Sequence, residues 1–155
     1  MAVTILAPIS GTVMALADVE DPVFAEELVG PGVAIRPDLA GRAAVVSPVS
    51  GRVVKLHPHA FVVQGDEAHG AVAVLVHLGI DTVQLAGEGF ALHVAEGDDV
   101  TAGQPLVTWD PAEVERGGRS SVCPVVVLEG KPESVARHVD PGSRVDQGER
   151  LLDWS

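Results

Sequence analysis

Aromatic side chains are scarce in this sequence. Tyrosine is absent, and three phenylalanines with two tryptophans bring the aromatic share to 3%. Apolar residues still make up 46% of the 155, so Val, Ala and Leu must fill the core. Basic residues are few as well: ten Lys and Arg face 22 Asp and Glu, a formal net charge of −12. That surplus argues against nucleic acid and anionic membrane surfaces and suits partners that are basic where they dock, although a merely solvated acidic surface gives the same balance. The single cysteine, Cys123, excludes an internal disulfide, and its apolar setting from Ser121 to Val127 reads as a buried, inert thiol. No apolar run is long enough to span a bilayer, and no charged-then-apolar leader opens the chain. A cytoplasmic location without membrane insertion is therefore expected.

Glycine and proline, by contrast, are plentiful at 17 and 11, and with abundant valine they favour short strands and tight turns. The length suits one domain over residues 1–155. Two internal repeats organise it. Ala7-Pro8-Ile9-Ser10-Gly11-Thr12-Val13 reappears as Ser47-Pro48-Val49-Ser50-Gly51-Arg52-Val53. His93-Val94-Ala95-Glu96-Gly97, followed by Val100, Gly103, Leu106 and Trp109, recurs as His138-Val139-Asp140-Pro141-Gly142, followed by Val145, Gly148, Leu151 and Trp154. Strands are expected over 4–7, 12–16, 32–36, 43–46, 52–56, 61–64, 71–78, 82–85, 90–94, 106–109 and 122–128. Helical turns are expected over 21–29, where Pro22 suits the first position, over 111–116 with Asp110 as cap, and over 133–138. The fold class that follows is mostly β: a single antiparallel β-sandwich or barrel with short helical turns.

The chemistry concentrates in Val74 to Phe90, where His77 ends an apolar run and the chain turns through Gly79 into Ile80-Asp81-Thr82. A lone imidazole among Val, Leu and Ile costs stability unless its polar atoms are satisfied. A backbone carbonyl in the turn can do that and fix the tautomer, which leaves the other ring nitrogen free as a nucleophile or ligand. A satisfied core histidine is the plainer reading of His77 alone. His59 weighs against it, because a second apolar strand is expected to present that imidazole, with His57 two residues before it. His69 reads as a solvated turn residue, and His93 and His138 hold equivalent, structural places in the repeats.

The Gly-punctuated pattern of the later repeat resembles that of lipoyl and biotinyl carriers and related barrel-sandwich hybrids, but neither Lys55 nor Lys131 sits in the modifiable hairpin those carriers need. A closer resemblance covers nearly the whole chain. Ala7-Pro8-Ile9-Ser10-Gly11, Asp21-Pro22-Val23-Phe24-Ala25-Glu26, Gly30-Pro31-Gly32-Val33-Ala34-Ile35, His59-Ala60-Phe61, His77-Leu78-Gly79-Ile80-Asp81-Thr82-Val83 and Gly87-Glu88-Gly89-Phe90 occur in the order of one family. Together they resemble the glucose-type enzyme IIA of the bacterial phosphoenolpyruvate-dependent sugar phosphotransferase system, whose fold is a duplicated hybrid motif. The resemblance implies a phosphocarrier. His77 matches the histidine that takes a phosphoryl group, as tele-phosphohistidine, from the histidine-containing phosphocarrier protein HPr and passes it to a cysteine of an enzyme IIB/IIC sugar permease. His59 matches the second histidine that supports onward transfer. Asp81 and Asp21 match acidic residues beside the ring and on the docking rim, and Val23, Phe24, Leu28 and Val29 match an apolar docking surface. His57 departs from the family, which often has threonine there. No cofactor is obligatory in this reading, although the His59–His77 pair could hold a zinc ion.

Two other classes compete. His57-x-His59 with His77-x-x-x-Asp81 has the ligand types of a zinc hydrolase of the lysostaphin type, but in reversed order and without the export signal usual there. A regulatory module that binds targets only when unphosphorylated is the other, since an added dianion disrupts an apolar interface.

Overall fold

The computed structural model describes residues 3–65 and 71–155, so the expectation for His69 lies outside the described residues. The strands are β1 (Val3–Leu6), β2 (Gly11–Ala15), β3 (Gly32–Pro37), β4 (Ala43–Val46), β5 (Gly51–His57), β6 (Ala60–Gly65) and β7 (Ala73–His77). They continue as β8 (Ala91–Leu92), β9 (Asp99–Val100), β10 (Pro105–Trp109), β11 (Cys123–Val127), β12 (Val135–Arg137), β13 (Arg144–Val145) and β14 (Arg150–Trp154). Helix is confined to short pieces, of which α1 (Pro22–Ala25) and α2 (Pro111–Arg116) are the α-helical ones. Each starts on a proline, whose missing N–H costs nothing there. Each is capped by an aspartate: Asp21 accepts from Val23 N at 2.9 Å, and Asp110 accepts from Ala112 N at 3.0 Å.

Every strand pairing is antiparallel, and the strand order displays the duplication written in the sequence. The large sheet runs β13-β2-β3-β11-β7-β6-β5-β9, and two small sheets run β1-β14-β12 and β4-β10-β8. Read from opposite edges, the large sheet repeats itself: β13 answers β9, β2 answers β5, β3 answers β6 and β11 answers β7. Val76 and Val125, paired at the centre, mark the pseudo-twofold axis. Hydrogen bonds outside the ladders are duplicated too. Leu6 N–H donates to the Pro48 carbonyl (2.9 Å) and Val46 N–H to that of Pro8 (3.0 Å). The Ser10 hydroxyl accepts from Gln147 N (2.8 Å) as that of Ser50 accepts from Ala102 N (2.9 Å).

The main core lies between the sheets and includes Ile5, Val13, Ile35, Phe61, Val76, Leu106, Trp109, Val125 and Leu152. Each large apolar side chain buried there contributes roughly 1.5–3 kcal/mol. The outer face of the large sheet carries a second, smaller cluster of Leu16, Val19, Phe24, Ala34, Ile80 and Val126. Its cover comes from one asymmetry between the halves. Where β5 and β6 are joined by the tight turn Pro58–His59, the equivalent β2 and β3 are joined by residues 16–31, which fold over the sheet as a 3-10 helix (Leu16–Asp18) and α1.

Three expectations need correction. Thr82–Leu85 is a 3-10 helix, not a strand, because Asp81 enters it at φ +60° and the Thr82 hydroxyl caps the Leu78 carbonyl at 2.7 Å. The helical turn expected over 133–138 is a 3-10 helix at Pro132–Ser134 running into β12, which pairs with β14. His59 belongs to a hairpin turn rather than a strand, with Pro58 supplying the fixed φ of the first turn position.

Candidate active site at the pseudo-twofold axis

Strand parity decides which histidine faces where. Along β7, Val74, Val76 and then Leu78 enter the main core, so Leu75 and His77 face the other way, onto the second cluster. There the His77 ring is tilted against Phe24, with centroids 5.3 Å apart. The other imidazole arrives through the backbone. Leu78 N–H donates to the His59 carbonyl at 2.7 Å, which ties the hairpin tip to the end of β7 and brings the two rings edge to face at 5.1 Å. The pseudo-equivalent bond, Val127 N–H to the Pro31 carbonyl, is also present at 2.9 Å. The duplicated scaffold therefore offers two such positions, and this chain places imidazoles at one and Pro31 and Val126 at the other.

His77 Nδ1 lies 2.6 Å from the Gly79 carbonyl oxygen. A carbonyl only accepts, so Nδ1 carries the proton and Nε2 keeps its lone pair. The carbonyl is itself held. Gly79 adopts φ +81°, Ile80 N–H donates to the Ser120 carbonyl at 2.9 Å, and fully buried Thr82 bonds back to Leu78. Thr82 was not singled out in the sequence, although a threonine at the close of a Gly-x-Asp turn is a usable signal for such a cap.

Burial favours the neutral form of both rings. Burial pushes His77 below the usual histidine value of 6.5, outweighing the Gly79 carbonyl and the charges of Asp21 and Asp81, which pull the other way. His59 is lowered by burial, then by His77 and His57. The unfolded chain thus binds these protons at higher pH than the folded chain does. The stabilisation is full above pH 6.5 and is lost as pH falls toward the depressed folded values. Urea midpoints of the wild type are expected to fall between about pH 7.5 and about pH 5.5, with a shallower fall for His77→Gln, which has nothing to protonate. Equal slopes in the two proteins would remove His77 burial as the cause.

Phe24 is buried against His77 and Val23, on the same helix, is 42% exposed, whereas Leu28, 69% exposed, lies with half-buried Val29 beside Ala73 and Leu128, at the opposite end of β7 from His77. Val83, on the turn that carries Asp81, is 62% exposed. Alternation had placed Val83 in a strand, which hid it. Asp81 is exposed, and Asp21 is half-buried with its carboxylate on α1. His57 is exposed and stacks on His59 at 5.8 Å. His93 and His138 stand apart from the site at equivalent places, each giving its backbone N–H to a core strand. Cys123 is buried, and burial pushes its thiol up to about 12, which keeps it inert as a nucleophile.

Among the described residues, no three His, Cys, Asp or Glu side chains come close enough together to hold a metal ion. The hydrolase alternative, which needs His57, His59, His77 and Asp81 as one ligand set, lacks that set. The His59–His77 pair offers two nitrogen donors, short of the three that a catalytic zinc site takes from its protein.

The family model for the phosphoenolpyruvate-dependent sugar phosphotransferase system, EIIA 1, matches residues 3–133. The chain belongs to this family. A PTS system glucose-specific EIIA component of Oceanobacillus iheyensis is 42% identical over 127 residues, 81% of this chain and 73% of that protein. One of Staphylococcus epidermidis is 35% identical over 148 residues, 95% of this chain and 86% of that protein. The solved glucose permease IIA from Mycoplasma capricolum superposes with a TM-score of 0.85 at 34% identity, covering 99% of this chain and 96% of that one. Membership makes this EIIA chain a phosphocarrier component of a sugar phosphotransferase system and a transferase in the broad sense. No helix among the described residues is long and apolar enough to cross a membrane.

Proposed function

We propose that this chain takes a phosphoryl group from the histidine-containing phosphocarrier protein onto Nε2 of His77. It then passes the group to the cysteine of a sugar-specific enzyme IIB, with His59 supporting the second step. The observation that carries this reading is the Nδ1–H to Gly79 carbonyl bond, with a neutral imidazole 5.1 Å away. Phosphoryl transfer asks for little covalent work and much positioning. The Nε2 lone pair attacks phosphorus in line as the donor's P–N bond breaks, and later the acceptor's sulfur attacks as the Nε2–P bond breaks. The N–H of His59 donates to phosphoryl oxygens whose charge spreads during transfer. No step requires a metal or organic cofactor.

Val23 and Phe24 beside His77, with the exposed Val83 and, further along β7, Leu28 and Val29, suit an apolar docking surface that excludes water from a labile phosphohistidine. Asp21 and Asp81 disfavour a dianion on their own, and a cation from the partner between them offsets this and speeds association. In this reading residues 1–155 act as one domain on the cytoplasmic side, and the membrane partner sets the sugar. The names of the relatives point to glucose or a close analogue. The test is incubation with labelled phosphoenolpyruvate and the two general phosphotransferase proteins. An acid-labile, base-stable phosphate is expected, and no label on this chain while those proteins turn over would end the proposal.

A further inference from the structure

His57 reaches the site only because β5 is irregular. On β6, Phe61 and Val63 enter the main core while Ala60, Val62 and Gln64 face the site side. Regular alternation from Val53, which is in the core, would send His57 inward as well. Instead the register slips between Val53 and Lys55, leaving Val54 as the extra residue of a β-bulge. Beyond it Leu56 pairs with Phe61 against the core, and His57 pairs with Ala60 on the outer face. A bulge reverses side-chain parity and is a common device for re-aiming a residue beside an active site. The pseudo-equivalent strand, β2, pairs with β3 without any slip, so the duplicated scaffold does not require the bulge.

The re-aimed ring meets His59 nearly face on, with centroids 5.8 Å apart and planes at 27°. Among the described residues the His59 ring nitrogens have no hydrogen-bond partner, unlike Nδ1 of His77. Ring contacts are what orient it: the face of His57 on one side and the edge of His77 on the other. The turn below is stiffened by Pro58, which sits against Gly87 closely enough that a Cβ there would meet Pro58 Cγ at 3.3 Å.

We propose that His57 is a positioning residue for phosphoryl transfer, holding the plane of the His59 imidazole so that its N–H meets the phosphoryl oxygens. The inference rests on the function proposed above and deepens it. Since aromatic stacking is worth about 0.5–1.5 kcal/mol, its loss is read as a rate change of up to about tenfold. In His57→Ala, labelling of His77 from phosphoenolpyruvate stays within about twofold of wild type, while transfer from the labelled protein to a purified IIB domain slows about fivefold to tenfold. His57→Phe, which stacks but carries no nitrogen, restores that transfer. A His57→Ala variant that transfers at the wild-type rate, or a His57→Phe variant as slow as His57→Ala, overturns the proposal. A second readout does not depend on phosphate. The imidazole nitrogen resonances of His59 in the unphosphorylated protein shift or broaden in His57→Ala and return toward wild type in His57→Phe. Unchanged His59 resonances overturn the positioning role alone, whereas a wild type that takes no label overturns the function proposed above and leaves this readout standing.

Discussion

The His77→Ala variant will take up no phosphate under conditions that label the wild type fully, and His59→Gln will label but fail to pass the group on. The two rings differ in what holds them. His77 alone has Nδ1 committed to a carbonyl, so Nε2 is permanently the acceptor-type nitrogen, a nucleophile at neutral pH because burial disfavours the imidazolium. On the proposed function its removal takes away the atom to which phosphorus bonds, and Cys123 cannot stand in, because it is buried with its thiol pushed up to about 12. In the same proposal His59 offers the phosphoryl group a hydrogen bond and no more. Loss of one such donor in a partly dry site costs about 100-fold or more in the step that uses it. Glutamine's flexible amide lacks the rigid ring that aims the imidazole N–H, so that donor is lost to the phosphoryl oxygens and onward transfer is expected to fall by that order, while acceptance stays within about threefold of wild type. Equal loss of acceptance in both variants would dissolve this division of labour.

Replacing Gly79 by alanine is expected to damage stability and chemistry together. At φ +81° an L side chain is strained. The new Cβ would also lie 2.6 Å from Thr82 Cγ2 and 2.8 Å from the Ser120 carbonyl oxygen, both inside contact distance. Left-handed backbone and overpacking together cost about 2–4 kcal/mol. Relief of the clash moves the Gly79 carbonyl, and with it the bond that fixes the His77 tautomer, so phosphate acceptance should slow about 100-fold even where the variant is fully folded. Gly89→Ala is the matched control: its φ of +89° is similar, but nothing lies within 4 Å of the added methyl. That variant should lose about 1 kcal/mol and keep its activity. Urea titration and labelling rates on both variants decide the matter. A Gly79→Ala protein that labels at the wild-type rate would show that the carbonyl is not what prepares His77.

The two histidines, the β architecture and the duplication were legible in the residues because each leaves a local mark: a polar ring in an apolar run, alternation, and repeated Pro-x-Ser-Gly. What escaped is set by tertiary contacts. Val83 and Leu85 alternate like a strand, yet the left-handed Asp81 and the Thr82 hydroxyl close a 3-10 turn that alternation cannot reveal. The short strands β9, β12 and β13 escape a reading of the sequence, because two or three residues between glycine turns become strands only when a partner edge is available; the five-residue β14 had a mark in the repeat, where Leu151 and Trp154 answer Leu106 and Trp109 of β10. The bulge at Val54 left no mark at all: Val-Val-Lys-Leu-His reads the same with or without it.

The split of one half of the duplicated fold has a consequence in time. Strands β4 to β10 form an unbroken stretch of chain whose members pair almost wholly with one another, so they can close soon after leaving the ribosome. The other half must wait: among the described residues β1 pairs only with β14, and the free edges of β2 and β3 are covered only by β13 and β11. Such long-range pairing makes folding slow, on the order of milliseconds to seconds. In a nascent chain the histidine hairpin and β7 therefore come together before Val126 on β11 arrives to complete the bed on which Phe24 packs. The two imidazoles thus meet before the Ser120 carbonyl steadies the Gly79 turn and before the proposed docking face is complete, so on that proposal an incomplete carrier lacks both a prepared nucleophile and the surface by which a partner would find it.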